Sequence, residues 1–266
     1  MIDPRVRLDI QDGVAVLTLD RPERRNALCR EMWQAIGARA DEAAQAGVRA
    51  LIVTGTGDHF CAGMDLKPDN AYVPMLMPAI SDGNREVVRE IIDELKASLS
   101  KLQNFPAPTI AAIEGACLGG GYEVALRCDI RVAGESAKLG LPEVRMGMVP
   151  DVGGTHLLTR LVGPGRAALV ICSGAAFDAA QSERMGLVEQ VVADGQTMTT
   201  ARSLAAEIAL GGPVSVRSAI QAIRQIPGIS QEAACAVETE AGIDAVTSGE
   251  PMEGITAFAQ RRPPQW

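Results

Sequence analysis

The sequence predicts an α/β fold with a helical tail. Three observations carry that reading. Continuous apolar runs at residues 50–54, 109–113 and 130–133 read as buried strands. Segments with apolar residues every three or four positions lie between them and read as amphipathic helices. From about residue 200 the strand signals stop and only helical patterns continue, so residues 1–200 form an α/β core that holds the site and residues 201–266 a helical region.

Taken in order, residues 5–20 (RVRLDIQDGVAVLTLD) alternate polar and apolar around Asp12-Gly13, the pattern of a β-hairpin. RPERRN is a charged loop. Leu28, Met32, Ile36, Ala40, Ala43 and Ala44 mark a helix over 27–46 that Gly47 ends, and the strand 50–54 follows. Residues 67–83 hold three prolines and the run VPMLMPAI; they lack regular periodicity and read as an irregular loop that lines or caps an apolar pocket, with methionines as its adaptable wall. A helix over 84–103 carries the stripe Val87, Val88, Ile91, Ile92, Leu95, Leu99 and Leu102. After the strand 109–113 comes a turn at Glu114-Gly115. Gly119, Gly120 and Gly121 then open a short apolar helix over 120–127, and the strand 130–133 follows. Two helices, 153–162 and 164–172, flank Gly163; residues 177–192 read as helix, glycine stop and strand. The tail divides into helices over 201–210, 214–225, 231–248 and 251–261. Periodicity alone does not separate a spiral of strands from a doubly wound sheet.

Composition excludes several function classes. The chain of 266 residues has a formal net charge of −8, which disfavours a nucleic-acid surface. No apolar run reaches the roughly 20 residues of a membrane span. The start MIDPRVRLDIQDG has no signal-peptide pattern, so a cytoplasmic location is expected. Six cysteines without CxxC spacing read as reduced thiols, mostly buried, and two histidines outside any ligand-spaced cluster predict no metal site.

The chemistry concentrates in two stretches. In 109–151 a strand runs into the triple glycine and a helix start, where unpaired N–H groups and the dipole would stabilise an oxygen that gains negative charge. Glu123 sits one turn into that helix and Glu143 lies twenty residues on; Val124, Ala125 and Leu126 mark the helix as buried, and a buried carboxylate needs a reason. Residues 51–67 (LIVTGTGDHFCAGMDLK) again run strand, glycine loop, helix start. Neither stretch fits a nucleotide loop: residue 60 is Phe where a third glycine is needed, and Tyr122 and Glu123 stand where a phosphate loop needs Lys and Ser or Thr. A Ser-His-Asp hydrolase is disfavoured because no GxSxG elbow occurs.

Together HFCAGMDLK and GACLGGGYE resemble the enoyl-CoA hydratase/isomerase (crotonase) family, and the resemblance runs from RPERRNAL to EGITAFAQRR. It implies a crotonase-like spiral of ββα repeats followed by a C-terminal helical oligomerisation region that builds trimers, often stacked as hexamers. It implies an acyl-CoA thioester as substrate, no cofactor beyond the coenzyme A of that substrate, and two oxyanion-hole donors, the backbone N–H groups of Met64 and Gly120. Glu123 and Glu143 fall on the two catalytic glutamate positions of the hydratases. The loop and oxyanion segment imply acyl-CoA contacts at Arg25, Ala27, Ala62, Asp65, Leu66 and Lys67, with Arg21, Arg24, Arg25 and Lys67 as candidate phosphate partners. Phe258 matches a family position that reaches toward the acyl chain, from an adjacent subunit. One residue departs from the hydratase pattern. Asp151 stands where simple hydratases usually have glycine and dienoyl-CoA isomerases have an aspartate, although those isomerases carry an aspartate where this chain has Glu123. Hydration of a 2-enoyl-CoA is therefore the leading expectation, isomerisation through Asp151 the alternative, and a non-catalytic acyl-CoA binder the rival from another class.

Overall fold

The computed structural model describes residues 2–266. The hairpin forms as expected, β1 (Val6–Gln11) pairing antiparallel with β2 (Val14–Leu19). Asp12 and Gly13 both take positive φ, 52° and 74°, as a two-residue hairpin turn demands. Helix α1 (Arg30–Gln45) and β3 (Ala50–Gly55) follow.

Residues 67–83 correct the loop expectation, because Tyr72–Asp82 is a helix, α2. Pro74 lies in its first turn, where the missing N–H has no intrahelical partner to lose, and Pro78 lies within it. Tertiary packing overrides the weak local signal. Tyr72 is fully buried, its hydroxyl donates to Glu94 at 3.0 Å, and the Arg30 guanidinium sits 5.5 Å above its ring. Gly83 then caps α2 at φ 64°, and the Asn84 side chain accepts the first amides of α3 (Arg85–Gln103).

From there the chain winds as a spiral. It runs through β4 (Thr109–Ile113), β5 (Ala116–Leu118), α4 (Gly120–Ala125), β6 (Ile130–Gly134) and β7 (Lys138–Gly140). A 3₁₀ turn at Pro142–Met146 leads into α5 (Gly154–Ser173), which breaks at Gly163 as expected, and then β8 (Ala176–Asp178), α6 (Ala179–Met185) and β9 (Gln190–Val192). One sheet has the order β1-β2-β3-β4-β6-β9, parallel beyond the hairpin; the second is β5-β7-β8. The parallel strands advance in one direction with no reversal of order, which distinguishes this spiral from a doubly wound sheet. Isolated bridges extend the second layer: Leu28 to Met64 and Cys61 to Cys117. Each turn thus gives one strand to the large sheet and one short piece to the layer that carries the functional segments. The three-residue strands β5, β7 and β8 are too short for periodicity to reveal.

The large sheet is covered on both faces, which explains its continuous apolar strands. Leu17, Leu51, Val53, Ala111 and Ile113 face the main core, whereas Val16, Ile52, Ile110 and Val132 face α7 (Thr197–Ala209) through Ala201 and Ala205. Residue 200 lies inside α7, so the helices without a sheet to rest on begin at α8 (Pro213–Gln225) and continue through α9 (Gln231–Thr247) and α10 (Glu250–Gln260). No residue of α9 is buried. Among the described residues, no helix is long and apolar enough to cross a membrane.

Candidate active site

The first wall of the site is a short backbone ladder. The Ala62 amide donates to Arg25 O, the Leu28 amide to Gly63 O and the Asp65 amide to Leu28 O, at 2.8–2.9 Å. Beneath it the buried Asp65 carboxylate accepts from Arg21 at 2.7 Å and Arg24 at 3.0 Å. The chain then turns at Gly63 (φ 99°), where a Cβ would stand 2.9 Å from Leu118 O and 3.3 Å from the Gly120 nitrogen. Only glycine lets the two segments approach this closely.

The second wall begins at Gly119, whose φ of 54° and ψ of −129° are open to glycine and whose amide donates to Gly140 O at 2.9 Å. Gly120 is the first residue of α4, so its N–H has no intrahelical acceptor. A Cβ at Gly120 would lie 3.6 Å from the Met64 nitrogen and 2.8 Å from the ring of Trp33. The neighbouring amides of residues 61, 62, 65, 118 and 119 are all engaged with backbone acceptors. Among the described residues, those of Met64 and Gly120 meet none. Two donors without acceptors on closely approaching segments suit the stabilisation of a developing negative charge.

Two glutamates line the same cavity as these amides. Glu123 is 3% exposed, and its Oε1 accepts the Val152 and Gly154 amides, both at 2.8 Å. Arg127 in turn donates to Val152 O at 2.6 Å, which holds the amide-bearing loop in place. Burial pushes the Glu123 carboxyl up from 4.5 to about 7; the Glu143 and Asp151 carboxyls add to the rise and the two amides oppose it. Glu143 projects from the 3₁₀ turn that Pro142 starts and Gly147 ends. Its Oε2 is buried with no hydrogen-bond partner, and burial, with the Asp151 charge, raises its pKa too. Asp151 is raised by burial, with Lys96 pulling it back.

Glu123, Glu143, Asp151, Met64 and Gly120 line one largely apolar cavity of about 500 Å³, together with Trp33, Leu76, Val88, Ile91 and Leu95. The chain matches the family model for enoyl-CoA hydratase/isomerase over residues 9–266. It belongs to that family. An enoyl-CoA hydratase of Mycobacterium tuberculosis is 36% identical over 99% of this chain and 96% of its own. The 2,3-dehydroadipyl-CoA hydratase of Escherichia coli is 34% identical over 96% of each. The crystal structure of an enoyl-CoA hydratase from Bacillus anthracis superposes with a TM-score of 0.88 at 32% identity, covering 98% of both chains. The crotonase fold expected from the motifs is the fold the chain has.

Within this crotonase framework the expected site residues divide. Glu123, Glu143, Asp151, Met64, Gly120, Ala62 and Leu66 come together at the cavity. Asp65 does not: its side chain is buried in the ion pairs with Arg21 and Arg24, which leaves those two arginines engaged as well. Ala27 contributes a carbonyl to Arg21 rather than a wall to the cavity. Arg25 and Lys67 are exposed and, among the described residues, make no ion pair. Phe258 is 87% exposed on α10 and does not line the cavity of its own chain. The α2 segment does line the cavity, through Leu76 and Ile80, but Met75 and Met77 do not; the methionines at the wall are Met64, Met146 and Met148. Trp33 and the amides of Val152 and Gly154 went unrecognised in the sequence. Trp33 lies in an ordinary amphipathic helix, and the one hint of the loop was the Gly153-Gly154 pair after Asp151.

The raised Glu123 pKa has a stability consequence with a definite sign. Between 4.5 and about 7 the folded chain holds a proton that the unfolded chain has lost. Stability therefore falls as pH rises through that window, by about 3 kcal/mol in all. Glutamine cannot ionise, so Glu123→Gln should gain stability relative to the parent as pH rises from about 4 to about 8. Urea unfolding across that range reads the gain, and a difference that stays flat with pH contradicts it.

Proposed function

We propose that the protein adds water across the 2,3 double bond of 2-enoyl-CoA thioesters. The observation that carries this reading is the pair of free amides, Met64 and Gly120, opening on the same cavity as two buried carboxylates. The thioester oxygen accepts both N–H groups, each such donor being worth roughly 3–4 kcal/mol as charge develops. Withdrawal of electrons toward that oxygen makes C3 electrophilic. Burial raises the Glu123 pKa to about 7, but its two amide donors support the anion, so above that pH it is ionised and takes a proton from water as the water oxygen bonds to C3. Glu143, with an unpartnered buried oxygen, is better kept protonated and delivers its proton to C2. Proton exchange between the two carboxyl groups restores the starting state, so no cofactor is needed beyond the coenzyme A that the substrate brings. Arg25 and Lys67 are the free cations beside Ala62 and Leu66 for its phosphates. The names of the Escherichia coli and Mycobacterium tuberculosis relatives support hydration. The tail helices, with Met252, Ile255 and Phe258 exposed, fit a trimer or a hexamer in which Phe258 reaches a neighbour.

A second reading has an observation of its own. Asp151 lines the cavity with both glutamates, where it could move a proton further along a conjugated chain. Reaction in heavy-oxygen water separates the two. Hydration puts the label into a 3-hydroxyacyl product, whereas isomerisation leaves the mass unchanged. Asp151→Asn should slow 2-enoyl hydration by less than about tenfold. If no label enters any 2-enoyl substrate and a dienoyl thioester is isomerised in an Asp151-dependent way, isomerisation replaces hydration. Glu143→Gln should lower kcat by at least about 10² while acyl-CoA affinity, measured by calorimetry, changes little; unchanged turnover removes Glu143 from the mechanism.

A further inference from the structure

A second cavity, of about 470 Å³, adjoins the first. The two share Ile80, Val88, Ile92 and Asp151, so they adjoin across these residues, with Asp151 at the boundary. Beyond Asp151 the wall becomes mixed, with charged side chains among Ala79, Ile80, Val88 and Ile92. Arg85, Arg89 and Lys96 all contribute to it from α3, where spacings of four and seven set them on one stripe. Other cations packed around this helix are committed: Arg30 to Glu94 and Lys101 to Asp41. Arg85, Arg89 and Lys96, by contrast, make no ion pair or side-chain hydrogen bond among the described residues. Asp93 and Asp151 are the acids of this wall, so three cations meet two carboxyl groups and the balance is positive. The N-terminal end of α3 opens on the same chamber, and its dipole adds in the same sense.

We infer that this chamber receives the far end of the acyl group and that this end carries a carboxylate, which makes ω-carboxyacyl-CoA thioesters the favoured substrate class. The inference rests on the acyl-CoA reading above. A plain hydrocarbon tail that passed Asp151 would leave an apolar wall for a mixed, partly charged one and would gain little there. A carboxylate would instead meet exposed arginine donors, whose charge-assisted bonds favour it over a methyl end. The coenzyme A phosphates do not need these cations, because Arg25 and Lys67 stand beside Ala62 and Leu66, outside this chamber.

The test uses saturated acyl-CoA thioesters of graded length, in pairs that end in a methyl group or a carboxylate. They have no double bond to hydrate, so calorimetry reads binding apart from catalysis. At one length or more the carboxylate form should bind about tenfold tighter, about 1.4 kcal/mol. The ratio should shrink in high salt and collapse toward unity in the double variant Arg89→Gln/Lys96→Gln, whose sites are exposed on one helix face. Equal binding of both ends at every length overturns the inference without any variant. Equal weakening of both pair members in the double variant also overturns it, because the cations would then be serving coenzyme A. If the pairs discriminate but no 2-enoyl thioester is hydrated, the chamber stands and the hydratase reading falls. If hydration proceeds without discrimination, the chamber assignment falls alone.

Discussion

Two backbone segments from different turns of the spiral meet at Gly63 and Gly120, close enough that a Cβ on Gly63 would stand 3.3 Å from the Gly120 nitrogen. Much of the second layer exists to hold that approach. The Leu28–Met64 and Cys61–Cys117 bridges, the Asp65 ion pairs beneath the loop and the bond from Gly119 to Gly140 fix both segments from behind. The result is two N–H groups left without an acceptor on residues that line one cavity. Preorganised donors of this kind stabilise charge as it forms because the protein need not reorganise at that moment.

The same geometry sets the cost of the site. An enclosed cavity that strengthens the amide dipoles also penalises every charged group within it, and the three acids around it all have raised pKa values for that reason first. The surroundings separate Glu123 from Glu143. Two amides of the 152–154 loop, held from behind by Arg127, favour an anion on Glu123, whereas Glu143 keeps a buried oxygen with no donor at all. Neighbouring carboxyl groups with unlike supports divide naturally into a base and an acid.

How far this was legible in the sequence depends on the range of the interaction. The sheet strands were readable because both faces are covered, and Gly119 and Gly120 because they sit between a strand and a helix start. The helix start expected after Gly63 does not form, since Gly63 lies between the Cys61 and Met64 bridges and the next helix begins at Tyr72. Helix α2 was not, since Pro74 and Pro78 hide a pattern that only the packing of Tyr72 against Arg30 and Glu94 makes stable. Charge type alone could not divide the basic residues of the first loop. Arg21 and Arg24 are engaged by Asp65, while Arg25, at a positive φ of 49°, is exposed. Trp33 and the Val152 and Gly154 amides reach the site from distant parts of the chain, so no local spacing announces them.

Polarisation of a thioester carbonyl by the Met64 and Gly120 amides can be read without relying on turnover. An acyl-CoA carrying carbon-13 at the thioester carbonyl can be bound to the protein and its carbonyl stretch isolated by isotope-edited infrared spectroscopy. Two convergent donors in a water-poor cavity weaken the C=O bond more than bulk water does, so the account predicts a band shifted to lower frequency than that of the same thioester in solution. A bound thioester whose carbonyl band stays at its solution frequency, or moves above it, would contradict the account.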